Sequence, residues 1–237
     1  AGIHHVVKNI GDQPAFIAGY LAAGMSESGI VCTYGGLKIQ PILQFMVGFE
    51  HGVKYYNKQK DAAVIVRGWK TDPAVKAGGD GAFTNTFEDT IEGQRVAENF
   101  FDEGCDIIFP IAGQVGLGSA ATAQERDLAV IGVDTDQYES APEFKDVYLT
   151  SVLKRIDVAV FEAIKRMEEG TFEGGTNYLG SLENDGVGLA PFHNYEDTVP
   201  QELRDELAEI EQGIIDGRIS TGWPVEAAPT AEATAAD

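Results

Sequence analysis

The feature that most constrains this chain is an alternation: short β-rich runs keep giving way to stretches of helical period along its 237 residues. Residues 29–34 (GIVCTY) read as a strand, ended by Gly35 and Gly36. Between Pro41 and Asn57 the apolar positions Ile42, Met46, Phe49, Val53 and Tyr56 recur at spacings of 4, 3, 4 and 3, a helical stripe with proline in its first turn. Residues 62–66 read as a strand, the glycine- and aspartate-rich stretch up to about residue 86 as a loop, and residues 88–103 as a helix carrying Ile91, Ala97, Phe100 and Phe101. Residues 106–111 (DIIFPI), a glycine loop, a short helix at 119–126 and residues 129–133 (AVIGV) form a β-loop-α-β pattern. A strand at 147–152 and a helix at 157–169 follow, with Val160, Ile164 and Met167 inward and Gly170 as the stop. A strand at 177–182 comes next, then a helix at 201–216 built on Leu203, Leu207, Ile210 and Ile214 and ended by Gly217. Strands alternating with helices predict an α/β fold with parallel strands. Residues 224–237, poor in bulky apolar groups and rich in Ala, Pro, Thr and acid, are expected to be a disordered tail.

Charge and motifs then exclude several functions. With 38 acidic against 17 basic residues the net charge is −21, which repels a phosphate backbone or an anionic membrane, so nucleic acid is not an expected partner. No apolar run approaches the roughly 18 residues of a membrane span. The sequence has no G-x-S-x-G elbow, H-E-x-x-H, C-x-x-C or Walker loop, so neither an enzyme nor a bound cofactor is predicted. His4 and His5 are adjacent and share no face of a regular element, and His51 and His193 stand apart, so no metal site is predicted either. Cys32 and Cys105 are too few for a disulfide framework or a metal knuckle, and each lies in or beside an apolar run; both are read as buried thiols.

Two constellations remain. The loop from Ala112 to Gly118, with Gly113, Gly116 and Gly118 in the order G-x-x-G-x-G, follows a strand and precedes a helix, where α/β sheets put ligands. It reads as a tight turn, as a loop whose backbone N–H groups approach a neutral polar ligand, or as a variant nicotinamide-dinucleotide loop. The second is Asp134, at the carboxyl end of a buried strand, with Lys154 twenty residues on at the end of the next. If both face one crevice, carboxylate and ammonium can grip vicinal hydroxyls of a sugar; the alternatives are an internal salt bridge or a helix cap.

Taken together, several segments resemble the basic membrane lipoprotein family, the purine-nucleoside-receptor-like, type I substrate-binding proteins of ABC importers. They are Gly35 through Pro41 (GGLKIQP), Gly48-Phe49, Gly52-Val53, Pro110 through Gly113 (PIAG), residues 130–138 (VIGVDTDQY), residues 149–155 (LTSVLKR) with Asp157-Val158-Ala159-Val160, and residues 186–192 (GVGLAPF). The similarity runs from about Phe16 to Gly217. It implies an α/β, type I periplasmic-binding-protein fold of two Rossmann-like lobes joined by hinge crossovers. It further implies a nucleoside held between the lobes: Asp134 and Lys154 on the ribose hydroxyls, Phe109 stacked on the base, Gly113 near the sugar and Asp12 against the base.

The family's lipoprotein signal, lipidated cysteine and first strands do not precede Ala1, so the first lobe is expected to be incomplete. The expected division gives residues 1–40 and 153–175 to the first lobe, and 41–152 and 176–223 to the second. The resemblance implies an extracytoplasmic monomer that passes a nucleoside to an ABC permease and meets the membrane only through a lipid anchor absent from these residues. A sugar-binding protein, an NAD-dependent oxidoreductase and a regulatory protein with an inherited, empty cleft are the alternatives.

Overall fold

A computed structural model of the chain describes residues 6–72 and 79–223. The chain starts with β1 (Val6–Asn9), α1 (Asp12–Met25), β2 (Ile30–Gly35), α2 (Gln40–Lys60), β3 (Ile65–Arg67), β4 (Trp69–Thr71) and β5 (Gly79–Gly81). It continues through α3 (Thr90–Asp102), β6 (Ile107–Ile111), α4 (Val115–Arg126), β7 (Ala129–Asp134), α5 (Gln137–Ser140), β8 (Tyr148–Lys154) and α6 (Ile156–Glu168). It ends with β9 (Asn177–Gly180), β10 (Val187–Leu189) and α7 (Gln201–Ile215); 3-10 turns occupy Pro142–Val147 and His193–Tyr195. The tail expected at 224–237 lies outside the described residues.

Six strands form one sheet in the order β10-β8-β7-β6-β2-β3. All neighbours are parallel except β10, which pairs antiparallel with β8. The predicted alternation of strand and crossover helix produces this topology, because parallel neighbours need a long connection. Side chains alternate across the sheet, and both faces are covered. Ile107, Phe109 and Ile111 of β6 join Phe16, Leu21, Phe45 and Phe49 from α1 and α2. On the opposite face Cys32, Tyr34 and Ile108 meet Ala97 of α3 and Ala120 of α4. The central strands β2 and β6 are therefore buried almost throughout, as parallel strands covered on both sides must be.

Helix α1 is apolar on nearly every side, and its middle is buried all round. It shows no stripe in sequence because no side of it meets water. It crosses α2 through glycines: a Cβ on Gly19 would lie 2.1 Å from the Phe49 carbonyl oxygen, and one on Gly52 would lie 2.0 Å from that of Phe16. Neither helix can approach the other this closely with any larger residue at those positions.

Three expectations change. Strand β2, assigned from sequence to the first lobe, lies in the main sheet between β6 and β3, and β9, assigned to the second, pairs in parallel with β1 in a separate two-stranded sheet. Strand adjacency, invisible to local pattern, decides both. Val160, Ile164 and Met167 of α6, expected inward, are 50%, 53% and 60% exposed, because β1 and β9 offer too narrow a sheet to cover the helix. Cys32 and Cys105 are joined in a disulfide, with Cα atoms 6.1 Å apart, rather than held as thiols. β2 and β6 are neighbours, and both cysteines belong to the core on the α3–α4 side.

Candidate functional site

In open parallel sheets ligands collect at the carboxyl ends of the strands, where successive βα turns converge. Here β2, β6, β7 and β8 end side by side, with Gly35 in register with Ile111 and Asp134 in register with Leu153. Asp134 is the last residue of β7 and Lys154 the last of β8. The Lys154 Nζ lies 2.7 Å from Oδ1 of Asp134, so the structure brings the two predicted groups together. The contact is ionic rather than an aligned hydrogen bond, since Oδ1 has no well-directed donor. The Lys154 ammonium also stands 4.9 Å from the centre of the buried Phe45 ring.

Exposure decides what this pair can be. The Asp134 side chain is 45% exposed and that of Lys154 22% exposed. The contact atom Oδ1 is buried while the rest of the Asp134 side chain meets solvent, and a pair so partly exposed contributes on the order of 1 kcal/mol to folding. It therefore stands as an accessible donor–acceptor couple at the ligand edge of the sheet. Asp134 adopts φ +71°, the left-handed region that aspartate tolerates better than most residues, and this turn directs the chain away from the strand.

The residues flanking the pair in sequence hold it in place. The hydroxyl of Thr150 donates to the Ala190 carbonyl at 2.7 Å, and the Gln137 backbone N–H donates to the Ser151 hydroxyl at 3.0 Å. A Cβ at Gly132 would lie 2.3 Å from that same hydroxyl. The Thr, Ser and Gln of the two motifs are thus scaffolding that ties α5, β7, β8 and the segment after β10 to one another.

Phe109 is not in the cleft. It is fully buried, with ring centroids 5.3 Å from Phe49 and 6.4 Å from Phe45, because odd positions of β6 face α1 and α2. The aromatic ring at the strand ends is Phe87, which the sequence reading did not single out. It is half-buried, its carbonyl accepts the Gln114 N–H at 3.1 Å, and its Cβ lies 3.6 Å from where a Cβ on Gly113 would sit. Phe83 lies beside it in sequence, edge-on to Trp69 at 6.3 Å, with the Lys38 ammonium 5.9 Å from its ring. The signal for Phe87 is positional: it lies two residues before Asp89, whose side chain caps α3 by accepting from Ile91 N–H, and so sits in the turn feeding a helix start.

Gly113 occupies the turn after β6 with φ +58°, as a strand-to-helix turn requires. The other glycines of that stretch lie inside α4, where a Cβ on Gly118 would come 1.9 Å from the Thr90 carbonyl of α3. They are packing contacts, and the dinucleotide-loop reading loses its residues to them. Asp12 heads α1 and is fully buried; its Oδ2 accepts a hydrogen bond from the Thr221 hydroxyl, while Oδ1 has no hydrogen-bond partner among the described residues. Desolvation, partly offset by the Thr221 bond, pushes its carboxyl up to about 6. Asp12 therefore faces the interior beside Thr221, although the backbone of neighbouring Gly11 abuts the Phe45 ring that borders Lys154.

A family model described as "ABC transporter substrate-binding protein PnrA-like" matches residues 7–78 and 80–221. Basic membrane protein D of Borreliella burgdorferi is 30% identical over 215 residues, covering 90% of this chain and 57% of that protein. The ABC transporter nucleoside-binding protein BmpA of Lactococcus lactis is 28% identical over 223 residues, 88% of this chain and 57% of that one. The chain thus spans just over half the length of these curated relatives. Among solved structures, an ABC transporter solute-binding protein from Aeropyrum pernix superposes with a TM-score of 0.76 at 23% identity, covering 91% of this chain and 65% of that one.

Proposed function

The chain belongs to the PnrA-like family of ABC transporter substrate-binding proteins, and from that membership we propose that it binds a purine nucleoside outside the cytoplasmic membrane for delivery to a permease. Its fold is the type I periplasmic-binding-protein fold. The observation that carries the proposal is the Asp134–Lys154 pair, 2.7 Å apart and partly open to solvent at the carboxyl edge of the sheet. A carboxylate accepts hydrogen bonds from two neighbouring hydroxyls, and an ammonium donates to their oxygens, so the couple matches the cis-diol of a ribose. Phe87, half-buried and packed against Gly113 at the same edge of the sheet, offers an aromatic ring for a base. A free sugar would use the ion pair and leave the ring idle.

Strand pairing supports a lobe boundary different from that expected from sequence. β1, α6 and β9 make up one lobe, the six-stranded sheet with its helices the other, and the short connections at residues 10–11, 155 and 181–186 are the hinge. The ligand closes between them, and the receptor works as a monomer without catalysing any reaction. The buried Cys32–Cys105 disulfide supports an extracytoplasmic location, since disulfides persist in oxidising compartments. The Lactococcus relative's nucleoside-binding name points to the same ligand class. Calorimetric titration tests the reading with four ligands: inosine should bind, ribose should bind more weakly, and 2′,3′-dideoxyinosine and NAD should bind poorly. Equal affinity for inosine and 2′,3′-dideoxyinosine would contradict it.

A further inference from the structure

Two residues beyond Asp134, the chain enters a contact that the ligand reading does not use. Oδ1 of Asp136 accepts the Tyr138 N–H at 3.2 Å, capping α5, while its Oδ2 lies 2.8 Å from Nε2 of His193. A carboxylate only accepts, so that imidazole nitrogen carries the proton. The same imidazole stacks on the Tyr138 ring with centroids 3.9 Å apart and planes 7° from parallel. Tyr138 then donates its hydroxyl to Asn194 Oδ1 at 3.1 Å, and Asn194 donates to Asp146 at 2.6 Å. His193 is thus gripped from two sides by Asp136 and Tyr138 at the start of α5, and its neighbour Asn194 is bound to the same tyrosine.

His193 is itself delivered from elsewhere in the fold. It comes just after β10, and Ala190 N–H is bonded to the Ser151 carbonyl at 2.8 Å, so the segment is anchored on β8 before it crosses to the β7 turn. Both ends of the crossing are non-glycine residues in the left-handed region, His193 at φ +47° and Asp134 at φ +71°. Such conformations persist only where surrounding contacts over-determine them. Close to Asp134, the turn is held by Thr135 N–H to the Val133 carbonyl at 2.9 Å and by a Thr135–Ser140 hydroxyl pair at 3.2 Å. The Asp136 and Tyr138 side chains link that turn to the segment from β10.

We propose that His193 is a positioning residue for the ligand edge: bound to Asp136 and stacked on Tyr138, it latches the turn that presents the Asp134 carboxylate to vicinal hydroxyls. The proposal rests on the ribose reading above. Its mechanical part, that the latch restrains residues 134–138, is measurable without ligand.

The experiment compares wild type with three variants. His193→Phe keeps a ring to stack on Tyr138 and loses the bond to Asp136; His193→Gln keeps a side-chain N–H donor near the position of Nε2; Tyr138→Leu removes the stacking partner together with the hydroxyl bonded to Asn194. Amide hydrogen exchange across residues 134–138 should quicken about tenfold in His193→Phe, quicken less in Tyr138→Leu and return towards wild type in His193→Gln. The preference for inosine over 2′,3′-dideoxyinosine should shrink in the same order, because misplacing Asp134 costs affinity only where hydroxyls are present. Unchanged exchange in His193→Phe overturns the latch. Faster exchange with the inosine preference intact overturns the positioning role. If wild type shows no inosine preference, the ribose reading fails while the exchange data still decide the latch. Should His193→Phe fail to fold, Tyr138→Leu carries both readouts.

Discussion

Cys32 and Cys105, 73 residues apart in sequence, are bonded to each other beneath α3 and α4, tying β2 to the turn that leads into β6. Closing a loop of that size stabilises the fold by roughly 4 kcal/mol through the entropy it removes from the unfolded chain. Thiol titration in denaturant should find no free thiol. Reduction or paired Cys→Ala substitution should lower unfolding stability by about that amount without altering ligand preference. Two titratable thiols in the untreated protein would contradict the pairing.

Phe109 and Phe87 should respond oppositely to truncation. Phe109→Ala empties a fully buried site and should cost about 3–5 kcal/mol of stability while leaving the order of ligand preference as it was. Phe87→Ala should change stability far less and weaken inosine relative to ribose by roughly threefold to tenfold, since an aromatic stack adds about 0.5–1.5 kcal/mol. Thermal melts and titrations on both variants check the pair; a loss of base selectivity from Phe109→Ala would return the stacking role to β6.

Asp12 gives the protein a pH dependence of known sign. Its folded carboxyl is pushed up to about 6 from the ordinary aspartate value of 3.8, chiefly because burial disfavours the charge. Between these values the folded state binds more protons than the unfolded one, so stability falls as pH rises from about 4 to about 6. The loss attributable to Asp12 is up to about 3 kcal/mol. Denaturant unfolding of Asp12→Asn, which still accepts from Thr221, should show that slope flattened and a gain in stability at pH 7. Identical pH profiles in the two proteins would show that Asp12 does not hold its proton in the fold.

Local pattern carried every strand of the main sheet except β10, and most helices, because the apolar runs at β6, β7 and β8 mark strands covered on both faces while the stripes of α2 and α7 mark helices with one side in water. It was silent on α1, buried on nearly all sides, and on β4 and β5, too short to show a period. Asp134 and Lys154 were legible because each closes a buried strand, where an ionisable residue stands out. Phe109 misled because the resemblance places an aromatic of this strand against a base, whereas the pleat of β6 turns this ring into the core. The disulfide, the place of β2 and β9, the exposed side of α6 and the Asp136–His193 bond all depend on which distant segments become neighbours. Sequence spacing does not encode that.

The Asp134–Lys154 couple is the centre of the account, and calorimetry on Asp134→Asn and Lys154→Met tests it most directly. A hydrogen bond to a charged group is worth about 1.5–3 kcal/mol, so each substitution should weaken inosine binding about tenfold to a hundredfold. Stability should change by only about 1 kcal/mol, since the pair is partly open to solvent. 2′,3′-Dideoxyinosine should bind wild type and both variants equally poorly. Inosine affinity unchanged in both variants, with stability lost instead, would mean that the pair serves the fold and that the ligand is held elsewhere.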